Sequence, residues 1–231
     1  MPTLLIADDH PLFRAALHRA AVDAVEDLQI SEVDSLHGVL DAIEQRDIDL
    51  LLLDLHMPGN HGLAGLASIR AQHPGLAVII VSASEDPHVM RRALDLGAAG
   101  YLPKSSGMAD LREALRTVLV GEPWLPPTLR SVVANTAATP RDAELAGRLG
   151  SLSSQQYKVL GMVAEGLLNK QIADRLGIQL RTVKAHMTKI MGRLGVRNRT
   201  QAIRVLHELG LADPSRQWVA VEDDDEDPDG A

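Results

Sequence analysis

Five side chains could do chemistry together: Asp8, Asp9, Asp54, Ser82 and Lys104. Each stands where an apolar run stops. Leu4-Leu5-Ile6-Ala7 leads into Asp8-Asp9, Leu50-Leu51-Leu52-Leu53 into Asp54, and Val78-Ile79-Ile80-Val81 into Ser82. Tyr101-Leu102 is followed by Pro103-Lys104. Short apolar runs bounded by Pro and Gly read as strands buried on both faces. The carboxyl ends of such strands are where open α/β sheets place ligands. Three carboxylates there suit Mg²⁺, a hard cation that takes oxygen ligands and keeps several waters. A lysine would add positive charge, a hydroxyl could bond a phosphoryl oxygen, and Asp54 could act as a nucleophile forming an aspartyl phosphate.

The elements that must hold these groups are legible from periodicity. Strands are predicted near 3–8, 28–33, 49–54, 77–82 and 99–102, and helices near 11–24, 36–46, 62–72, 87–96 and 107–119. Five alternations argue for a parallel sheet covered on both faces, and five strands favour an open doubly wound sheet over a barrel. Residues 121–150 carry Pro123, Pro126, Pro127 and Pro140 among small polar residues. They read as an exposed linker with a short helix near 142–149. From Ser151 the pattern is helical only, near 153–165, 169–176, 180–195 and 199–209.

Charge divides the chain the same way. Residues 1–150 hold 12 Lys/Arg against 20 Asp/Glu, net −8; residues 151–212 hold 10 against 3, net +7; residues 213–231 hold 1 against 8, net −7. The basic segment is the candidate for a polyanion partner. The acidic tail reads as disordered, and it could compete with DNA for basic surface. There is no cysteine, so disulfides, thiolate metal sites and cysteine nucleophiles are excluded. No signal peptide or bilayer-length apolar run is present, which points to the cytoplasm.

Within the basic segment, Asn169-Lys170-Gln171-Ile172-Ala173 opens one short helix. Leu176-Gly177-Ile178 turns, and Thr182-Val183-Lys184-Ala185-His186 opens the next, as in a helix-turn-helix. Val183, Met187, Ile190 and Leu194 share one face and should point inward. That turns Lys184, Ala185, Thr188 and Lys189 outward for the major groove. Lys184 could donate to guanine, and Thr188 or Ala185 could touch a thymine methyl. Lys170, Arg181, Lys189 and Arg193 are candidates for phosphate contacts.

Two resemblances follow. Asp8-Asp9, Asp54 with Met57-Pro58-Gly59, Ser82-Ala83 and Tyr101-Leu102-Pro103-Lys104 resemble the receiver domain of bacterial two-component response regulators, a flavodoxin-like fold, over residues 1–120. The resemblance implies phosphotransfer from a sensor histidine kinase to Asp54. It implies Mg²⁺ on Asp9, Asp54 and the backbone carbonyl of His56, with Asp8 acting through metal-bound water. Ser82 and Tyr101 would be the switch pair, the ring following the hydroxyl inward. Residues 151–210 resemble the LuxR/NarL-type DNA-binding domain, a smaller all-α unit, through Leu176-Gly177-Ile178, Thr182-Val183-Lys184, His186, Leu194-Gly195-Val196 and Arg199-Thr200-Gln201-Ala202. Departures are Ser154-Gln155-Gln156-Tyr157, where the family has an Arg/Glu-rich stretch, and Gln179, where it often has a capping serine. The family implies double-stranded DNA as partner, with two-fold symmetry on an inverted repeat, and a homodimer through 200–209. Ile203 and Leu206 could instead be core. The expected protein is a DNA-binding switch rather than an enzyme. The alternatives are a receiver that dimerises without switching, and a metal-dependent phosphatase using His10, His56 and His61 beside the acids.

Overall fold

The computed structural model describes residues 1–137 and 140–209; the expected acidic tail, 213–231, lies outside the described residues. Strands β1 (Thr3–Ala7), β2 (Gln29–Val33), β3 (Leu50–Asp54), β4 (Ala77–Ser82) and β5 (Gly100–Pro103) form one parallel sheet in the order β2-β1-β3-β4-β5. Helices α1 (Pro11–Ala24), α2 (Leu36–Gln45), α3 (Leu63–Gln72), α4 (Pro87–Asp95) and α5 (Met108–Leu119) alternate with the strands. The order reverses between β1 and β3, so a crevice opens there at the carboxyl edge.

Strand periodicity sorts the core into two layers. Leu4, Ile6, Leu50, Leu52, Ile79 and Val81 face one side and pack with Leu17 of α1 and Leu111 and Leu115 of α5. Leu5, Leu51, Leu53, Val78 and Ile80 face the other side, toward α2, α3 and α4. Because both faces are covered, β3 has no polar position until Asp54.

The second layer continues into the helical part: α7 (Pro140–Gly150), α8 (Ser154–Ala164), α9 (Asn169–Leu176), α10 (Leu180–Leu194) and α11 (Arg199–Leu209). Helix α3 is buried from Leu63 through Ile69, with the sheet on one side and α7 and α11 on the other. At the α3–α7 crossing, a Cβ on Gly150 would lie 2.7 Å from the Ala71 Cβ, so only glycine allows the helices to approach this closely.

The expected exposed linker is corrected here. Trp124 is only 1% exposed and closes the core beneath β5. Its backbone N–H donates to the Ala99 carbonyl (2.9 Å) and its backbone carbonyl accepts from Tyr101 N–H (3.2 Å). β5 is an edge strand whose free backbone groups need partners, and the segment supplies them. A short helix α6 (Arg130–Ala134) then buries Val133 against the core and packs on α4, while α7 buries Leu145 and Leu149. Burial rather than composition decides the structure of this stretch.

In the helical part, Val183, Met187, Ile190 and Leu194 are buried as their spacing requires. Ser153 and Gln156 cap α8 reciprocally: Gln156 N–H donates to Ser153 Oγ (3.3 Å), and Ser153 N–H to Gln156 Oε1 (3.1 Å). Gln179 makes no side-chain cap on α10. Gly177 takes the left-handed conformation (φ 64°) that ends α9 and sets up the turn into α10.

Candidate functional site

Four loops at the carboxyl edge bring the chemically competent groups together. Asp8 and Asp54 are fully buried. The N–H of His10 donates to Asp8 Oδ1 (2.8 Å), and that of His56 to Asp54 Oδ1 (3.0 Å). Each carboxylate is therefore clamped by the backbone two residues on, a local Asx turn at a strand end. The other oxygens face one cation. Lys104 Nζ lies 2.7 Å from Asp8 Oδ2 and 2.9 Å from Asp54 Oδ2. Burial disfavours the charge on Lys104, but its bonds to the two carboxylates prevail and hold the ammonium above the usual lysine range. It also sits 4.9 Å from the centroid of the Phe13 ring.

Asp9 lies at the rim, its Oδ1 2.7 Å from His10 Nδ1. One potential ligand atom from each of Asp8, Asp9, His10 and Asp54 falls within 4.8 Å of the others. Such oxygen-rich donors fit a hard divalent cation, and the clustered negative charge needs one for an anion to approach. Of the histidines weighed for a hydrolase, only His10 joins this cluster by its ring. His61 instead packs edge-on against His207, with ring centroids 5.6 Å apart.

Ser82 is fully buried, and its Oγ accepts from Ser84 N–H (3.2 Å). The Ser82 carbonyl accepts from Lys104 N–H (2.7 Å), tying β4 to the loop that carries the lysine. The Tyr101 ring is already fully buried, with its hydroxyl donating to the Ser84 carbonyl (2.9 Å). Burial pushes the phenol's pKa up.

Sequence reasoning passed over Asn60. It is buried, and its Nδ2 donates to the backbone carbonyl of Asp54 (2.8 Å). This locks the β3–α3 loop to the acidic strand end. The same loop touches the helical part, where the Gly59 carbonyl and the His61 ring lie against Gly161 of α8. Around it, Lys158 of α8 pairs with Asp41 of α2, and Ser154 Oγ donates to Gln72 Oε1 (2.7 Å). Arg92 of α4 donates to the Glu208 carbonyl of α11 (3.1 Å). A lone lysine in a helix without acidic residues was the available signal.

A second candidate surface lies on α9 and α10. Lys170, Arg181, Lys184, Ala185, Thr188 and Lys189 are exposed, while Thr182 and His186 are half-buried. The Thr188 hydroxyl bonds the Lys184 carbonyl (3.1 Å), leaving its methyl outward. Arg193 is exposed, and its guanidinium donates to the Ser151 carbonyl and to Gln156 Oε1 (2.8 Å), bracing α10 against α8. Leu206 is core, and α11 packs on α3, α7, α8 and α10.

An acidic crevice in a doubly wound sheet, joined to a helix-turn-helix, defines the class: a receiver switch with a DNA-binding output. Residues 4–116 match the response regulator receiver domain, and residues 150–206 match the bacterial regulatory proteins of the luxR family. The glycerol metabolism activator of Pseudomonas putida is 41% identical over 208 residues, covering 88% of this chain and 94% of the relative. The nitrate/nitrite response regulator NarL of Escherichia coli K12 is 32% identical over 211 residues, covering 89% and 95%. A solved structure of the RcsB response regulator of Salmonella typhimurium shares the fold, with TM-score 0.55, 23% identity, and coverage of 89% of this chain and 99% of that one. The chain belongs to the NarL-type two-component response regulators, whose output is a LuxR-type helix-turn-helix. It is a DNA-binding transcription regulator, and this membership sets aside the phosphatase alternative. No described helix is long and apolar enough to cross a membrane.

Proposed function

We propose that Asp54 accepts a phosphoryl group from a sensor histidine kinase, and that the phosphorylated chain, acting in the cytoplasm, changes its domain contacts and dimerises on an inverted-repeat operator. The proposed units are a receiver over 1–120, a connector over 121–150 and a DNA-binding domain over 151–212. The observation that carries the reading is the clamped, buried Asp54 facing Lys104 across the crevice. A carboxylate oxygen of Asp54 attacks phosphorus while the donor imidazole leaves. Asp8, Asp9, Asp54 and the His56 carbonyl are the groups that would hold Mg²⁺. When bound, the ion neutralises the transferring phosphoryl group and its neighbouring acids. Lys104 would leave its pairing with Asp54 to meet a phosphoryl oxygen, and Ser82 would donate to another.

Output follows from the β3–α3 loop, which Asn60 fixes to Asp54 and which presses on α8. A new dianion on Asp54 would shift that loop and the Ser82–Tyr101 pair, biasing the chain away from the docked arrangement. On α10, Lys184, Ala185 and Thr188 would read bases, with Thr182 and His186 alongside. Lys170, Arg181 and Lys189 would hold phosphates.

The test uses full-length chain with acetyl phosphate and Mg²⁺. Intact-mass spectra should show one phosphoryl adduct, absent in Asp54→Asn. DNA selected from a random pool should then be bound more tightly by the phosphorylated chain. An adduct in Asp54→Asn, or equal DNA affinity with and without the adduct, overturns the reading.

A further inference from the structure

Lys104 has a partner that the phosphoacceptor reading leaves unused. Phe13 stands in the first turn of α1, half-buried, and packs against the apolar layer that holds Leu17, Leu111 and Leu115. Lys104 Nζ lies over its ring, 4.9 Å from the centroid, while also 2.7 Å from Asp8 Oδ2 and 2.9 Å from Asp54 Oδ2. The next residue fixes the ring relative to the acids. Arg14 donates to the Asp8 carbonyl (2.6 Å) and to Glu32 Oε2 on β2 (3.0 Å), pinning the turn that carries Phe13 to the strand end that carries Asp8. The Lys104 side chain is only 18% exposed, so little water competes with the ring for its ammonium.

Phosphotransfer treats these partners differently. An oxygen of Asp54 is spent in bonding phosphorus, and Asp8 is among the groups that would hold Mg²⁺. Lys104 must nevertheless stay in the crevice to meet a phosphoryl oxygen. A π face attracts a cation through its quadrupole and carries no net charge. It can therefore retain the lysine without adding another anion to a crevice that must admit one. The attraction acts within about 6 Å of the centroid, so an ammonium at 4.9 Å has room to exchange Asp54 for a phosphoryl oxygen without leaving the ring. We infer that Phe13 is a positioning residue for phosphotransfer, its ring keeping the Lys104 ammonium in the crevice while the lysine changes partner. The inference rests on Asp54 being the phosphoacceptor.

Phe13 is the only phenylalanine in the chain, so a fluorinated phenylalanine supplied during expression enters at this one position. Fluorine drains the negative face of the ring at almost constant shape. The full chain carrying phenylalanine, monofluoro- or trifluorophenylalanine is treated with acetyl phosphate and Mg²⁺, and the adduct on Asp54 is followed by intact mass. The rate should fall in that order. The trifluoro chain should lose about two- to thirtyfold, the span of cation–π contacts from exposed to desolvated sites. Phe13→Leu should be as slow, and Phe13→Tyr, which keeps the π face, should restore most of the rate. A second readout needs no phosphate. The chain has five lysines, Lys104, Lys158, Lys170, Lys184 and Lys189, so a carbon-13 label at the lysine ε position gives a sparse spectrum that Lys104→Arg assigns. The ring current of Phe13 should place the Lys104 ε-protons upfield of the other four, and Phe13→Leu should abolish the shift. Adducts that form at equal rates in the parent and trifluoro chains overturn this inference alone. So does an unshifted Lys104 signal, or a loss in Phe13→Leu with no graded loss on fluorination, which would make the ring packing only. A parent chain that takes no phosphoryl group overturns the phosphoacceptor reading and this inference with it.

Discussion

The ion pair between Lys158 and Asp41 is one of the contacts that hold the helical part to the receiver. The Lys158 side chain is only 10% exposed, whereas that of Asp41 is 56% exposed. Removing one partner of a fully buried pair costs about 3–5 kcal/mol, because the other charge is left uncompensated. An exposed pair is worth about 0–1 kcal/mol. With one end buried and the other wet, screening brings Asp41→Ala to about 1–2 kcal/mol. At 1.4 kcal/mol per decade, this raises the undocked-to-docked ratio roughly five- to thirtyfold. The absence of cysteine allows a clean assay: Glu113→Cys on α5 and Lys189→Cys on α10, both exposed, carry a dye pair for single-molecule energy transfer. The Asp41→Ala chain should populate a low-transfer state that the parent visits rarely. Lys158→Met fills the same space without charge, so adding it to Asp41→Ala should recover most of the docked population. If Asp41→Ala leaves the distribution unchanged, or the double variant is as open as the single one, the pair does not hold the domains.

Three further outcomes follow. Burial pushes down the pKa of His37, with Lys158 and Arg175 adding to the effect against Asp41, and burial alone pushes down that of His207. A depressed imidazole binds its proton less well docked than released, so docking is full above the ordinary value of 6.5 and weakens as pH falls below it. Energy transfer should therefore drop on acidification, and a flat profile from pH 7.5 down to about 5 refutes this. Gly150→Ala places a Cβ 2.7 Å from that of Ala71 and should destabilise α7 docking by about 1–3 kcal/mol, read as a lowered urea midpoint. On selected DNA, Lys170→Ala should lower the salt slope by about one without changing preference. Lys184→Ala should lose about 1–3 kcal/mol on the preferred site and relax the choice of one base, measured by competition binding.

The receiver was readable because its strands are buried on both faces. Leu50–Leu53 can only be interior, and the first polar residue after such a run must emerge at the sheet edge. Helix α10 was equally readable, since Val183, Met187, Ile190 and Leu194 leave one outward face. The connector was misread because proline and small polar residues describe solubility rather than geometry. Nothing local shows that Trp124 completes an edge strand that ended 21 residues earlier, at Pro103. The docking of α7 did leave a trace. Leu63-Ala64-Gly65-Leu66-Ala67-Ser68-Ile69 has no polar stripe, and a helix apolar all round needs cover on two sides.

That doubly covered α3 bears on how the signal is transmitted. Releasing the helical part would bare apolar surface of α3, along with the buried Leu145 and Leu149 of α7. Water penalises such surface at about 25 cal/mol per Å². An opened chain is therefore adhesive, and it has a motive to find another opened chain. Release and pairing would then be linked through protein concentration, so the response to a given level of phosphorylation should steepen as more of the regulator accumulates in the cell.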